Sequence, residues 1–424
     1  MRKGDVFVNA GVWETLYQSL QEPQLDPVLA GFNANIDRVI PVTPDILRSL
    51  KQPAVKGLDK ILDRLKQSMR YCSADEIFTS DPSVYLKLSE SFSPSGTLSI
   101  GGQAGIAAVH LRRLGIPSVT CAVPGAGPKT CALLQNAGVI PLTFELGTND
   151  RPDIIHLIFE YSPGLVPLAD HVVPRNNRFI VSPVHDPSTV IIPDASMDSF
   201  LEQISACRRA FLSGFQYLRT EQEFATAARQ IRMIRSVHPL MRTHVECVSG
   251  ADQHVMEMML RHIIPNTNSI GLNERELGLF MHTLRAPDPT SAAILPSSPV
   301  ACVRDAIALA DATGVPRIHL HTFGYYILIL KSRTSQPELS RNAILLAARV
   351  TADIAGSGDQ ILSKEGLLAY AAVREVFGPD ETPGIFRVDD RVVVLVPTYI
   401  SQNINKTTGL GDILSSTAFT ADQS

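Results

Sequence analysis

The sequence predicts an α/β protein in which a large doubly wound domain carries a smaller inserted β-rich domain. Three observations carry this. Buried-strand patterns, glycine turns and helical patterns alternate along most of the chain, which is the signature of a parallel sheet with helices on both faces. Residues 140–192 interrupt that rhythm with short β-like runs separated by Pro, Gly and Asn. A length of 424 residues, 45% of them hydrophobic, suffices for more than one core.

Taken in order, 12–20 has helical spacing, and 27–37 reads as one buried strand whose C-terminal end turns polar. Asn35 and Asp37 alternate with Ala34 and Ile36, so their side chains share a face. Residues 43–70 look helical, with 57–65 clearly amphipathic. A Ser/Pro-rich segment over 79–96 leads to Gly101-Gly102-Gln103-Ala104-Gly105, then to a helix over 106–115 that ends on a glycine. Strand 118–123 and helix 129–137 follow. In the irregular stretch, 156–161 and 178–181 are β-like. Order resumes with a strand end at 210–215, a helix over 220–236, a strand over 243–249 and a helix over 255–262. A short strand over 269–272, a helix over 274–281, a loop over 285–299 and a helix over 300–313 come next. Residues 317–322 and 325–330 form a two-strand unit around Phe323-Gly324, and 340–356 is an alanine-rich helix. Finally 392–397 is a buried strand, and helical spacing returns after Thr407-Thr408-Gly409-Leu410-Gly411-Asp412.

A net charge of −4 offers no general polyanion footprint, so neither nucleic acid nor an anionic membrane is an expected partner. Cys72, Cys121, Cys131, Cys207, Cys247 and Cys302 are scattered without a C-x-x-C pair. That speaks against a disulfide framework or structural zinc and suits a reducing cytosol. The charged start is followed by no apolar run of signal-peptide type, and no stretch approaches eighteen apolar residues. A soluble, cytoplasmic protein is expected.

Several residue sets could carry chemistry. The Gly409-Leu410-Gly411-Asp412 turn brings bare N–H groups to a helix mouth, which suits a phosphate oxygen. Asp412 is there either a cap or a base aimed at a hydroxyl beside the phosphate. Gly101–Gly105 is a packing turn or a phosphate or hydroxyl cradle, and it lacks the spacing of a dinucleotide fingerprint. His244 and Glu246 point the same way from one strand. Asn273 and Glu276 share a face at a helix start. These carboxylates are a buried ion pair and a cap, or partners of Mg²⁺, often through water. His319 and His321 alternate on one strand, as core histidines or as the lining of a nucleotide pocket. Arg175 and Arg178 flank Asn176-Asn177 as surface charges or as a fork for an anion. Together the sets describe a phosphoryl-transfer site, where catalysis is mainly positioning and electrostatics.

In this order the motifs resemble those of the ADP-dependent sugar kinases, the ADP-dependent glucokinases and phosphofructokinases of the ribokinase-like superfamily. The resemblance runs through Gly31-Phe32-Asn33-Ala34-Asn35-Ile36-Asp37, Gly101–Gly105, Asn177-Arg178-Phe179-Ile180 and His244–Glu246. It continues through Asn273–Glu276, Arg317-Ile318-His319-Leu320-His321-Thr322 and Gly409–Asp412. It implies a large α/β domain over 1–37, 101–140 and 193–424, and a lid over 38–100 and 141–192 that closes on the sugar. It implies ADP as co-substrate and AMP as product, with a sugar or sugar phosphate as acceptor, in a monomer or small homo-oligomer.

The resemblance also distributes roles. Asp412 matches the base, and Gly409 and Gly411 match the anion hole. Asn35, Asp37, Gly102 and Gln103 match sugar contacts. Glu246 and Glu276 match carboxylates that organise Mg²⁺ or another divalent cation, supported by His244 and Asn273. Arg178 matches a phosphate-binding arginine, and His319, His321, Thr408 and Arg175 fall to the nucleotide. Glu76, in Glu76-Ile77-Phe78, matches a glutamate that contacts glucose. Ser162-Pro163-Gly164 stands where a lysine is expected in members that grip fructose 6-phosphate, so Arg175 or Arg178 would have to substitute. The rival readings are an ATP-dependent ribokinase-type carbohydrate or nucleoside kinase and an inactive sugar-binding regulatory protein.

Overall fold

Apolar strand runs build the largest sheet because helices cover it on both faces. The computed structural model describes residues 3–424 except 22, 50–57, 73–74, 80, 93–95, 145–151, 166–171, 249–251, 286–294, 332–335, 405 and 407. The strands, in chain order, are β1 (Val28–Gly31), β2 (Asn35–Pro41), β3 (Asp75–Thr79), β4 (Thr97–Gly101), β5 (Val119–Ala122) and β6 (Ile140–Leu142). They continue with β7 (Ile155–Tyr161), β8 (Asn177–Pro183), β9 (Arg209–Leu212), β10 (Arg242–Glu246), β11 (Ser269–Leu272) and β12 (Arg317–His321). The last are β13 (Tyr325–Lys331), β14 (Gly356–Leu362), β15 (Ile385–Val388), β16 (Arg391–Pro397) and β17 (Tyr399–Ile404).

The large sheet has ten strands in the order β15-β16-β13-β12-β11-β10-β9-β1-β5-β6. From β6 to β12 all neighbours are parallel. The β12–β13, β13–β16 and β15–β16 pairs are antiparallel, so the expected parallel sheet carries an antiparallel edge. For β12 and β13 the cause is the three-residue link Thr322-Phe323-Gly324, which is too short for a parallel crossover. Alternate residues of β9 show the two covered faces. Phe211 packs with Ala107 and Phe419, while Ala210 and Leu212 join the cluster containing Phe224 and Ile231. Helices Gln103–Arg113 and Leu410–Thr420 thus lie on one side and Glu221–Ser236 on the other.

The second sheet has the order β3-β8-β7-β2-β4. It is backed by helices: Leu65 and Met69 of Leu58–Tyr71 share a core with Phe159, Phe179 and Val181. The single strand expected over 27–37 is two strands in two sheets, and the boundary expected after residue 37 falls inside β2. The chain leaves the large sheet after Gly31, and the Asn33 side chain just beyond accepts from Ala104 N–H and the Ser213 hydroxyl. From Asn35 the backbone pairs with β4 and β7 instead.

Other departures are local. The expected helix over 43–70 is described as Pro44–Ser49 and Leu58–Tyr71, with Gly57 outside the described residues. Most of the expected 285–299 loop, Ser249 and Thr407 also lie outside them. The helix expected over 255–262 is an α-helical turn, Gln253–Met258, continued by a π-helical turn, Met259–Ile263. A ribbon of β14 and β17 stands between the buried strand β16 and the Gly409 turn. No helix among the described residues is long and apolar enough to cross a membrane. The six cysteines are all free.

Candidate active site

The Gly409 turn lies between two cavities. One, of about 310 Å³, has polar walls that include Asn35, Asp37, Glu76, Gln103, Arg178, Glu246 and Asp412. Gly102, Asn273, Glu276, Thr408 and Gly409 also line it. The other, of about 430 Å³, is mostly apolar, with Phe323, Tyr326, Ala352, Tyr399 and Leu414 among its walls and Arg175 at its edge. His321, Leu410 and Gly411 line both. The two spaces therefore meet at the N-terminus of helix Leu410–Thr420.

Gly409 is the N-cap of that helix, with φ 72°, and no side chain among the described residues caps it. The left-handed conformation favours glycine, and a Cβ there would sit 3.0 Å from Ile106 Cδ1, which would have to give way. The first N–H groups of the helix have no intrahelical partner and lie at the positive end of the helix dipole. Asp412 sits in the first turn and is not the cap. It is half-buried. Lost hydration and the nearby Asp37 carboxylate push its pKa up to about 7, against the pull of Arg178 and Lys406.

Asp37 is buried on β2 and is likewise pushed up to about 7, first by burial and partly by Glu76. Asn35 Nδ2 donates to Asp37 Oδ1 at 2.7 Å, which realises the shared face expected from alternation. Glu76 is exposed as a residue, yet the surrounding protein strips hydration from its carboxyl group and raises its pKa. Its Oε1 accepts from the Ser182 hydroxyl at 2.7 Å. Arg178, in β8, lies close enough to Glu76, Asp37 and Asp412 to feel all three charges. Asn35 Oδ1, Gln103 Oε1 and Thr408 Oγ1 are buried without a partner among the described residues. Buried polar atoms normally have partners, so these three walls suit a polar ligand.

Glu246 and Glu276 approach from the C-terminal ends of β10 and β11. Asn273 caps helix Glu274–Leu284, and Glu276 reaches back to it, its Oε2 taking Asn273 N–H at 2.8 Å and its Oε1 taking Nδ2 at 3.1 Å. The capping role and the cavity wall are thus the same residues. Glu246 is buried and its pKa is raised, first by burial and also by Asp412 and Glu276. Among the described residues no group of three or more His, Cys, Asp or Glu side chains converges closely enough to grip a metal ion directly. The donor set still fits Mg²⁺, a cation that keeps most of its water and is held by one or two carboxylates plus phosphate oxygens.

His244 stands behind Glu246, its Nε2 3.1 Å from Glu246 Oε2, and does not reach the cavity. His319 departs from its expected place. It is fully buried, lines neither cavity, and packs edge-on against Tyr326. Strand alternation put His319 and His321 on one face, but β12 is central and only its C-terminal residue reaches the mouth. Burial lowers the pKa of His321 to about 4, so it faces both cavities as a neutral ring.

Sequence reasoning missed His156, Gln216 and Tyr217, which also line the polar cavity. His156 Nε2 is 2.8 Å from His185 Nε2, and His185 stacks on Tyr217 with centroids 3.9 Å apart. Alternation along β7 put His156 beside Ile158 and was the available signal. Gln216 and Tyr217 sit in one 3₁₀ turn after β9 and had none.

Residues 26–421 match the family described as the ADP-specific phosphofructokinase/glucokinase conserved region. The chain is 28% identical to the ADP-dependent glucose/glucosamine kinase of Pyrococcus furiosus, over 96% of this chain and 98% of that one. It is 25% identical to the ADP-specific phosphofructokinase of Methanosarcina acetivorans, over 94% and 93%. A solved structure described as an ADP-dependent kinase complex with fructose-6-phosphate and ADPβS superposes with a TM-score of 0.77. Its identity is 22%, over 99% of this chain and 98% of that one, and it shares the fold.

Proposed function

The chain belongs to the ADP-specific phosphofructokinase/glucokinase family, and from that premise we propose how its two cavities transfer phosphate from ADP to a hexose. One observation carries the reading: a polar cavity and an apolar cavity share the mouth of one helix, with a carboxyl group of pKa about 7 on the polar side. The apolar cavity takes the nucleoside of ADP, with Arg175 at its edge. The diphosphate lies across Leu410 and Gly411, where free N–H groups and the helix dipole offset its charge. The polar cavity takes the sugar against Asn35, Asp37, Glu76 and Gln103.

Asp412 accepts the proton of the attacking hydroxyl. Its carboxyl titrates near neutrality, the condition for an efficient general base. The oxygen attacks the β-phosphorus of ADP, the bond to the bridging oxygen breaks, and AMP leaves. Charge that builds on the moving phosphoryl group is met by the helix mouth and by Arg178. Mg²⁺, when bound, would neutralise phosphate charge. Glu246 and Glu276, with Asn273, would hold its water shell. The like-charge pressure on Glu246 from Asp412 and Glu276 favours a cation there.

Glu76 and Asp37 are two acceptors suited to a neutral sugar rich in hydroxyl donors, so glucose is the first acceptor. Arg178 supplies the cation that fructose 6-phosphate needs in place of the absent lysine. The test is a matrix of ADP and ATP against glucose and fructose 6-phosphate, with AMP measured. Phosphorylation of either sugar from ADP supports the reading. Transfer from ATP alone, or none, overturns it.

A further inference from the structure

Behind Glu246 a chain of buried polar groups runs back through the sheet, away from both cavities. Arg317, at the start of β12, donates from Nη1 to Ser269 Oγ at 2.8 Å. Ser269 Oγ lies 2.8 Å from His244 Nδ1. His244 Nε2 lies 3.1 Å from Glu246 Oε2 and 3.0 Å from Ser415 Oγ. Ser269, His244 and Glu246 are all buried, and only about a tenth of the Arg317 side chain is exposed.

Donor arithmetic favours one arrangement of the protons. A guanidinium only donates, so Ser269 Oγ accepts from Arg317, and its own hydrogen is free to point at His244 Nδ1, 2.8 Å away. That nitrogen is then bare, and Nε2 carries the hydrogen. The opposite tautomer would set a lone pair against the Glu246 carboxylate. Phe211 and Phe419 both stack on the ring, with centroids 5.3 and 4.9 Å away, and restrict its plane. Nothing larger than glycine fits beside the contact, since a Cβ on Gly271 would fall 2.0 Å from Glu246 Oε2 and 2.8 Å from His244 Nε2. Arg317 is itself anchored by Asp422 Oδ2 at 3.1 Å and Ala418 O at 3.3 Å.

We propose that Arg317 and Ser269 are positioning residues for the transfer reaction: they set His244 as the Nε2–H tautomer, which fixes Glu246 Oε2 and leaves Oε1 beside His321, 3.5 Å from its Nε2, where both residues line the polar cavity. This rests on the phosphoryl-transfer reading for its consequence, but the tautomer itself does not. Removing the arginine strands a buried Asp422, so Ser269→Ala is the variant of choice.

The first readout is the ¹⁵N spectrum of His244 in ligand-free protein. Wild type should show Nε2 protonated and Nδ1 bare, and Ser269→Ala should show a mixture of tautomers. The second is the Mg²⁺ concentration for half-maximal rate, which should rise at least about tenfold in Ser269→Ala, the usual scale for such supporting contacts. The sugar KM should stay within about twofold. An Nδ1–H tautomer in wild type, or an unchanged Mg²⁺ requirement in Ser269→Ala, overturns the proposal. The wild-type rate with ADP and glucose is measured first, so failure of the kinase reading would show there and not in the spectrum.

Discussion

At the residue scale the site is a set of carboxyl groups held in unlike surroundings. Asp412 and Asp37 both stand near 7, because each loses water and each feels another acid. With Asp412 as base, kcat/KM rises with pH up to about 7 and levels above it, measured as a pH profile with ADP and glucose. Asp412→Asn should lower kcat by about 10²- to 10⁴-fold and leave the sugar KM nearly unchanged. The same change should raise thermal stability at pH 8. The folded-state pKa lies above the ordinary value of 3.8, so the stabilisation present below that value is lost as pH rises through 7. A neutral Asn avoids that loss, and melting curves at pH 8 and pH 4 would differ in the stated sense. Glu76→Ala should cost glucose about tenfold in kcat/KM, the scale of one charge-assisted hydrogen bond. Fructose 6-phosphate should lose less, and equal losses would remove Glu76 from the glucose site.

At the element scale the helix Leu410–Thr420 matters most, because its first turn faces both cavities. Its buried residues, Ile413 through Thr420, seat it firmly on the sheet. No side chain among the described residues caps its N-terminus. Gly409→Ala forces a left-handed conformation that costs about 1–2 kcal/mol and presses on Ile106. Denaturant melts should show that loss, and kcat should fall with it because the N–H groups are re-aimed. Full activity in Gly409→Ala would mean the turn is only a packing device. The paired elements β10 and β11 have a related design. β10 ends in Glu246, beside His244, and the helix that follows β11 carries Glu276 in its first turn, held by Asn273. The carboxylates are therefore aimed before any cation arrives.

At the scale of the whole molecule the acceptor cavity is a seam between two sheets. Asp37, Glu76 and Arg178 come from the five-stranded sheet, while Glu246 lies on the ten-stranded one and Asp412 on a helix packed against it. If the smaller layer is a lid, a ligand bridging the seam should draw the sheets together. Saturating glucose with an ADP analogue should shrink the radius measured by solution scattering. At 100 times Kd a ligand should add about 2.7 kcal/mol to stability. A radius unchanged by both ligands would argue that the smaller layer is a fixed wall and not a lid.

The motifs around Asn35, Gly102, His244, Asn273 and Gly409 were legible in the chain alone because each is a local pattern: a strand end, a glycine turn or a helix cap whose chemistry depends on its near neighbours. So were most helices, whose 3.6-residue spacing is local too. Pattern shows that a face is buried, and it does not show what that face meets. The break of 27–37 between two sheets, the antiparallel edge, the exclusion of His319 and the presence of His156, Gln216 and Tyr217 all turn on which elements become neighbours. The same holds for Arg317, whose reach to His244 through Ser269 joins residues 73 positions apart. Only packing settles such pairings, because their energy comes from burial and hydrogen bonds made across the sheet.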